Sequence, residues 1–161
     1  MPILEKDISD AVSAWGDGLL EISNAYEDSG IEKATLVAEG MLDELYGYNL
    51  GQVLFKPTLS GGSQTFRLTR EGALSYFVGQ NPVYHQDSGF GIKFWRKVSA
   101  EASAVFIDET VAMWMGWVTF IDKNGEVTKV DKSWGYKLDD NGSLRIILHH
   151  SSLPYLSLIH I

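Results

Sequence analysis

The chain has 161 residues, of which 45% are apolar, 12% aromatic and 21% charged, enough apolar content for one buried core and too much for a disordered chain. Thirteen Lys and Arg stand against 21 Asp and Glu, a formal charge of −8, and no basic stripe is visible, so nucleic acid is excluded as a partner. No apolar run approaches the roughly 20 residues of a membrane span, and the chain opens on no charged-then-apolar leader.

Val12, Trp15, Leu19, Ile22 and Tyr26 recur at spacings of three and four, which predicts a helix from about Ser9 to Tyr26, capped by Asp7 or Ser9. Gly16 and Gly18 inside it cost helix propensity, so another element is expected to pack closely there. Ile31, Thr35, Ala38, Leu42 and Leu45 repeat the pattern to about Tyr46. Short strands are predicted at 53–56 and 64–68, then a short helix at 70–78 capped by Thr69 and ended by Gly79, then a loop to Gly91.

From Trp95 onward the chain reads as sheet. Residues 95–107 and 111–121 are rich in β-branched and aromatic side chains. Residues 127–138 alternate, with Val130, Trp134, Tyr136 and Leu138 on one parity and Asp131, Ser133 and Lys137 on the other. Residues 144–150 continue the pattern, and Asn124-Gly125 and Asn141-Gly142 predict type I′ hairpin turns. Helices early and strands late predict an α+β fold: a curved antiparallel sheet wrapped around the N-terminal helices, a cone with an apolar interior. The reading takes residues 1–155 as one domain and 156–161 as a tail.

The chemistry is bounded first by absences. With no cysteine there is no disulfide, thiolate nucleophile or Cys-ligated zinc. The four histidines, at 85, 149, 150 and 160, form no metal-ligand spacing, and no glycine-rich nucleotide loop is present. No metal and no other cofactor is therefore expected. On an extended strand His149 and Ser151 share one face with Ile147, while His150 and Ser152 share the other with Leu148. One pair faces the interior, and periodicity alone does not choose between them. Thr58 follows Pro57 at a strand end, and Tyr76 lies in the short helix beside Phe77, a core candidate.

Tyr46-Gly47-Tyr48, Phe55-Lys56-Pro57-Thr58, the run from Phe66 through Thr69-Arg70-Glu71-Gly72-Ala73-Leu74-Ser75-Tyr76-Phe77-Val78-Gly79, and His149-His150-Ser151-Ser152-Leu153-Pro154 form an ordered series. The series resembles the iota-class carbonic anhydrases, relatives of the calcium/calmodulin-dependent kinase association domain, over roughly residues 7–155. The resemblance implies the nuclear-transport-factor-2-like cone, a homodimer packed through the sheet, and reversible hydration of CO2 to bicarbonate. Carried over by position, the pocket groups would be Thr58, Tyr76, His149 and Ser151, which selects the pair His149 and Ser151 as the interior one. Thr58, Tyr76 and Ser151 would hold water and the nascent bicarbonate, and His149 would accept or relay the proton. Phe77, with Phe55, Trp95 and Trp117, would wall the CO2.

Members of that family occur in bacteria with export signals and in algae with plastid-targeting segments. The implied protein is soluble, in the plastid stroma or bacterial periplasm, with the cytoplasm as alternative. Two other readings compete: a non-catalytic oligomerisation or binding module of the association-domain type, and an isomerase-like enzyme using Asp131 as a carboxylate base inside the cone.

Overall fold

The computed structural model describes residues 2–155; the predicted tail at 156–161 lies outside them. Helix α1 spans Glu5–Ser29 and turns Ile8, Val12, Trp15, Leu19 and Ile22 into the core. It starts earlier than the spacing predicts. Its N-cap is Leu4, whose backbone N–H donates to Asp7 Oδ2 at 2.8 Å, so Asp7 caps from inside the first turn. Helix α2, Ile31–Leu45, folds back on α1. The glycines of α1 mark close approaches: a Cβ at Gly16 would meet Val98 Cγ1 at 3.1 Å, and one at Gly18 would meet Met41 Cγ at 3.0 Å.

Strand β1, Leu54–Lys56, precedes helix α3, Arg70–Val78, whose cap Thr69 accepts from the Gly72 N–H at 3.2 Å. The strand expected at 64–68 does not form. A 3-10 turn at Gly62–Gln64 takes its place, and Arg67 N–H makes a single bond to the Phe55 carbonyl. Two more 3-10 turns, Pro82–Tyr84 and Phe90–Ile92, break up the predicted loop.

Strands β2 (Trp95–Asp108), β3 (Val111–Asp122), β4 (Val127–Leu138) and β5 (Leu144–Ser152) make an antiparallel meander. Strand β1 joins its edge parallel to β5, giving the order β1-β5-β4-β3-β2. The two hairpins differ from the type I′ expectation, because only Gly125 and Gly142 have positive φ, +82° in each. Each connection is an Asp-x-Asn-Gly turn. Asp122 Oδ1 accepts from the Asn124 and Glu126 N–H groups, and Asp139 Oδ1 accepts from Asn141 and Ser143. The aspartate shapes the first residues of the turn and glycine supplies the left-handed step that rejoins the strands.

The inner sheet face and the helices enclose one hydrophobic core. Strand β4 buries Val130, Lys132, Trp134 and Tyr136; β3 buries Ala112, Trp114, Gly116, Val118 and Phe120. On β5 the parity is reset. The register slips where Gly135 faces Leu148 and Tyr136 faces Ile146, so Ile147 is an extra residue. Ile146, and not Ile147, therefore shares the inner face with His149 and Ser151. Among the described residues no helix is long and apolar enough to cross a membrane.

Candidate active site

At one end of the cone, side chains from α1, the end of α2, β1, α3, β4 and β5 converge on a polar cluster in an aromatic shell. His149 and Ser151 are buried at 1% and 0% exposure, whereas His150 is exposed and Ser152 half-buried. Pairing with β1 sets His149 opposite Phe55. The Phe55 ring stacks on the imidazole with centroids 4.5 Å apart and planes 14° apart. Trp15 and Trp134 pack on it at 5.6 and 5.1 Å.

The polar contacts form a chain. Trp15 Nε1–H donates to Tyr46 Oη at 2.9 Å, and Tyr46 Oη lies 2.7 Å from His149 Nδ1. His149 Nε2 is 2.9 Å from Lys132 Nζ, which donates to Ser151 Oγ at 3.1 Å. Ser151 Oγ is 2.5 Å from Thr58 Oγ1. The Thr58 hydroxyl lies against that of Tyr76, which also accepts from the Leu59 N–H at 3.3 Å. The four sequence-predicted residues Thr58, Tyr76, His149 and Ser151 thus meet in one place. Phe77, fully buried, packs against Tyr76, Phe55, Trp15 and Tyr46.

Two residues of the cluster were not in the sequence-derived set. Tyr46 lay in a quoted motif without a role. Lys132 carried a readable signal, since it shares parity with Val130, Trp134 and Tyr136, but a lysine among lysines on a strand reads as solvated. Its side chain is instead 4% exposed, with Nζ 4.6 Å from the Trp15 ring centroid.

Burial dominates the electrostatics. It pushes the Lys132 ammonium down to about 7, and Lys56 nearby adds to the effect while Asp131 opposes it. His149 is held well below the ordinary histidine value by burial and then by Lys132. The Tyr46 and Tyr76 hydroxyls are raised by burial and are neutral at any physiological pH. Among the described residues no carboxylate is within ion-pair distance of Lys132.

Behind Tyr76 stands a buried ion pair. Arg67 donates through Nη1 and Nη2 to the two oxygens of Asp87, each at 2.7 Å, and Ser75 Oγ donates to Asp87 Oδ2 at 2.7 Å. This clamp ties α3, which carries Tyr76, to the loop following it.

Two expectations are corrected. Trp117 is not a wall of the cone: it lies on the outward parity of β3, 37% exposed, with Lys129 Nζ 4.6 Å from its ring centroid. Asp131 is not a base inside the cone either, because it shares the outward face with Ser152, whose Oγ donates to Asp131 Oδ1 at 2.6 Å. Phe55 and Trp95 are buried as expected, though Trp95 packs on Phe90 and Phe120, away from the imidazole. Among the described residues no group of three or more His, Asp or Glu side chains could hold a metal ion.

A cleft of about 770 Å³ opens between α1 and the inner sheet face. Its lining includes Val98, Val105, Trp114 and Val118, and it reaches Trp15 and Trp134, the rings that pack on His149. Trp134 Nε1–H is buried with no acceptor among the described residues.

The family model described as metal-independent carbonic anhydrase matches residues 6–153. A metal-independent carbonic anhydrase from Nostoc sp. is 48% identical over 153 residues, covering 95% of this chain and 75% of that protein. The crystal structure of a cyanobacterial iota-carbonic anhydrase complexed with bicarbonate superposes with a TM-score of 0.96 at 47% identity, covering 97% of this chain and 95% of that one. A protein described as a calcium/calmodulin-dependent protein kinase II association domain, from Xanthomonas campestris, superposes at 0.60 with 22% identity over 93% of this chain and 87% of its own, which shows a shared fold.

Proposed function

The chain belongs to the metal-independent carbonic anhydrase family, and from that premise we propose that its hydroxyl, imidazole and amine cluster is where CO2 is hydrated. The observation that carries this reading is the convergence of Thr58, Ser151, Tyr76 and His149 from two strand ends and a helix, with Thr58 Oγ1 and Ser151 Oγ 2.5 Å apart. The crystal structure at 47% identity holds bicarbonate, the product of this reaction.

Bicarbonate formation places negative charge on oxygen. Preorganised neutral donors in a dry site stabilise that charge more than water does, because they need no reorientation and the local dielectric is low. The Thr58, Ser151 and Tyr76 hydroxyls are such donors, and Trp134 Nε1–H is a spare one. With a chain charge of −8, long-range attraction gives the anion no help, so local donors must bind it. CO2 itself is apolar and suits the Phe55 and Phe77 rings, and the cleft beside α1 is its route in.

The non-catalytic module reading has no comparable support. The likeness to the association domain is one of fold, whereas the family match spans nearly the whole chain. The homodimer belongs to the proposal. Met113, Met115, Trp117 and Phe106 leave 37–65% of their surface exposed on the outer face of β3 and β2, an apolar area suited to a second copy's sheet.

Stopped-flow CO2 hydration with a pH indicator, before and after exhaustive chelation, tests the function. Activity should survive the chelator. Thr58→Ala, Ser151→Ala and Tyr76→Phe should each fold and lose about 100-fold in kcat, the usual effect of removing one oxyanion donor. Full activity in all three, or activity restored only by added Zn2+, would overturn the reading.

A further inference from the structure

Lys132 belongs to the cluster but has been given no step, and unlike the buried Arg67, which pairs with Asp87, it has no carboxylate within ion-pair distance among the described residues. The hydrogen-bond chain around it fixes its protonation by counting donors. Indole Nε1 can only donate, so Tyr46 Oη accepts from Trp15. Tyr46 is 1% exposed and its hydroxyl's only other hydrogen-bond partner among the described residues is His149 Nδ1 at 2.7 Å. The Tyr46 O–H must therefore donate to Nδ1, or remain buried without an acceptor, at a cost of about 1–3 kcal/mol.

With Nδ1 accepting, the neutral imidazole carries its proton on Nε2. That N–H points at Lys132 Nζ, 2.9 Å away. An ammonium there would set donor against donor. A neutral amine has a lone pair to accept the Nε2–H while its own N–H donates to Ser151 Oγ. Nζ lies above Trp15 and near Trp134 and Phe120, whose faces attract a cation, so the neutral form rests on the donor count and on burial and not on the rings.

We infer that Lys132, held as a neutral amine by the Trp15–Tyr46–His149 chain, is the group that takes the proton from the water attacking CO2. The inference rests on the carbonic anhydrase reading of the cluster. In the step, the water oxygen bonds to the carbon and one C=O π pair moves onto oxygen. The breaking water O–H gives its proton to the Nζ lone pair as the His149 Nε2–H turns off it. The products are bicarbonate and the Lys132 ammonium, and the ammonium returns its proton to solvent after bicarbonate leaves.

Charge is the physical reason for the assignment. Amine, water and CO2 are neutral, and the products form a neutral ion pair, so the chemical step itself creates no lone charge in the dry site. His149 Nε2–H, released from Nζ on protonation, becomes a donor available to a bicarbonate oxygen. His149 thus acts as a positioning residue: it keeps the amine neutral and then turns to the product. Among the described residues the titratable groups that act on Lys132 are Lys56 from β1, His149 from β5 and Asp131 beside it on the outward face. Strand β3 presents Gly116 and Phe120, and α1 presents Trp15, none of them titratable.

The test combines three measurements on the full chain. Lys132→Met should fold, lose about 100-fold or more in kcat, as loss of a general base does, and regain activity with added small primary amines. In the wild type, NMR of 13C,15N-labelled lysine, assigned by the signal missing from Lys132→Met, should show residue 132 losing its proton around neutral pH. The rising limb of kcat/KM for hydration should follow that same titration. A Lys132 that stays an ammonium up to pH 9, or a rising limb well below 6.5 where His149 would titrate, overturns the inference. If Lys132→Met fails to fold, the wild-type titration and pH profile decide alone. If Lys132→Met is fully active while Thr58→Ala and Ser151→Ala are dead, the amine assignment falls and the site stands. If all are active, the site reading falls.

Discussion

Tyr46 and His149 are 103 residues apart in sequence, and Tyr46 Oη meets His149 Nδ1 at 2.7 Å while taking the Trp15 indole N–H on its other side. This single bond decides which imidazole nitrogen bears the proton, and through it what Lys132 can be. Tyr46→Phe keeps the ring and deletes the hydroxyl, leaving Trp15 Nε1–H and His149 Nδ1 buried without partners. Urea unfolding should register a loss of about 1–3 kcal/mol. In the same variant Lys132 should take a proton more readily, because the imidazole is free to carry its hydrogen on Nδ1, and the rising limb of the hydration profile should move to higher pH.

The depressed Lys132 also makes stability depend on pH in a predictable direction. Its folded-state value is about 7 and the unfolded value about 10.4. Between the two the unfolded chain binds more protons, so stability rises with pH there; below about 7 the cost of burying the ammonium is present in full. Chemical denaturation of wild type and Lys132→Met at pH 7 and pH 10 checks this. The stability of the wild type relative to the variant should increase at the higher pH.

Asp87 sits 5% exposed against a 2% exposed Arg67 and takes bonds from Arg67 and Ser75. Asp87→Asn strands a buried guanidinium, and removing one partner of such a pair costs about 3–5 kcal/mol. Because the pair braces α3, Tyr76 should lose its position first. Thermal unfolding should show the loss, and CO2 hydration below the melting temperature should fall as well.

The outer face of β3 yields a prediction on assembly. Met115 is 59% exposed at the middle of the apolar patch. Met115→Glu should leave the monomer fold intact by circular dichroism and convert a dimer to a monomer in sedimentation velocity. A wild-type chain that sediments as a monomer would remove the dimer from the proposal.

Local pattern carried much of this protein. The order of helices and strands, the bounds of β4 at Val127–Leu138, the Thr69 cap and the same-face relation of His149 and Ser151 follow from spacing and turn residues that act over a few positions. Within an unbroken strand parity fixes the face, so even Lys132 was on the inward side of its own pattern. Other features needed the assembled molecule. The slip at Ile147 is invisible to alternation, because one extra residue resets the face without changing residue type. Trp117 is aromatic and β-forming on either side of a sheet, and only the position of the helices made its side the outer one. The state of Lys132 was beyond any local reading. It is set by an indole, a phenol and an imidazole brought together from Trp15, Tyr46 and His149, and a buried group's charge depends on who its neighbours are, not on its place in the chain.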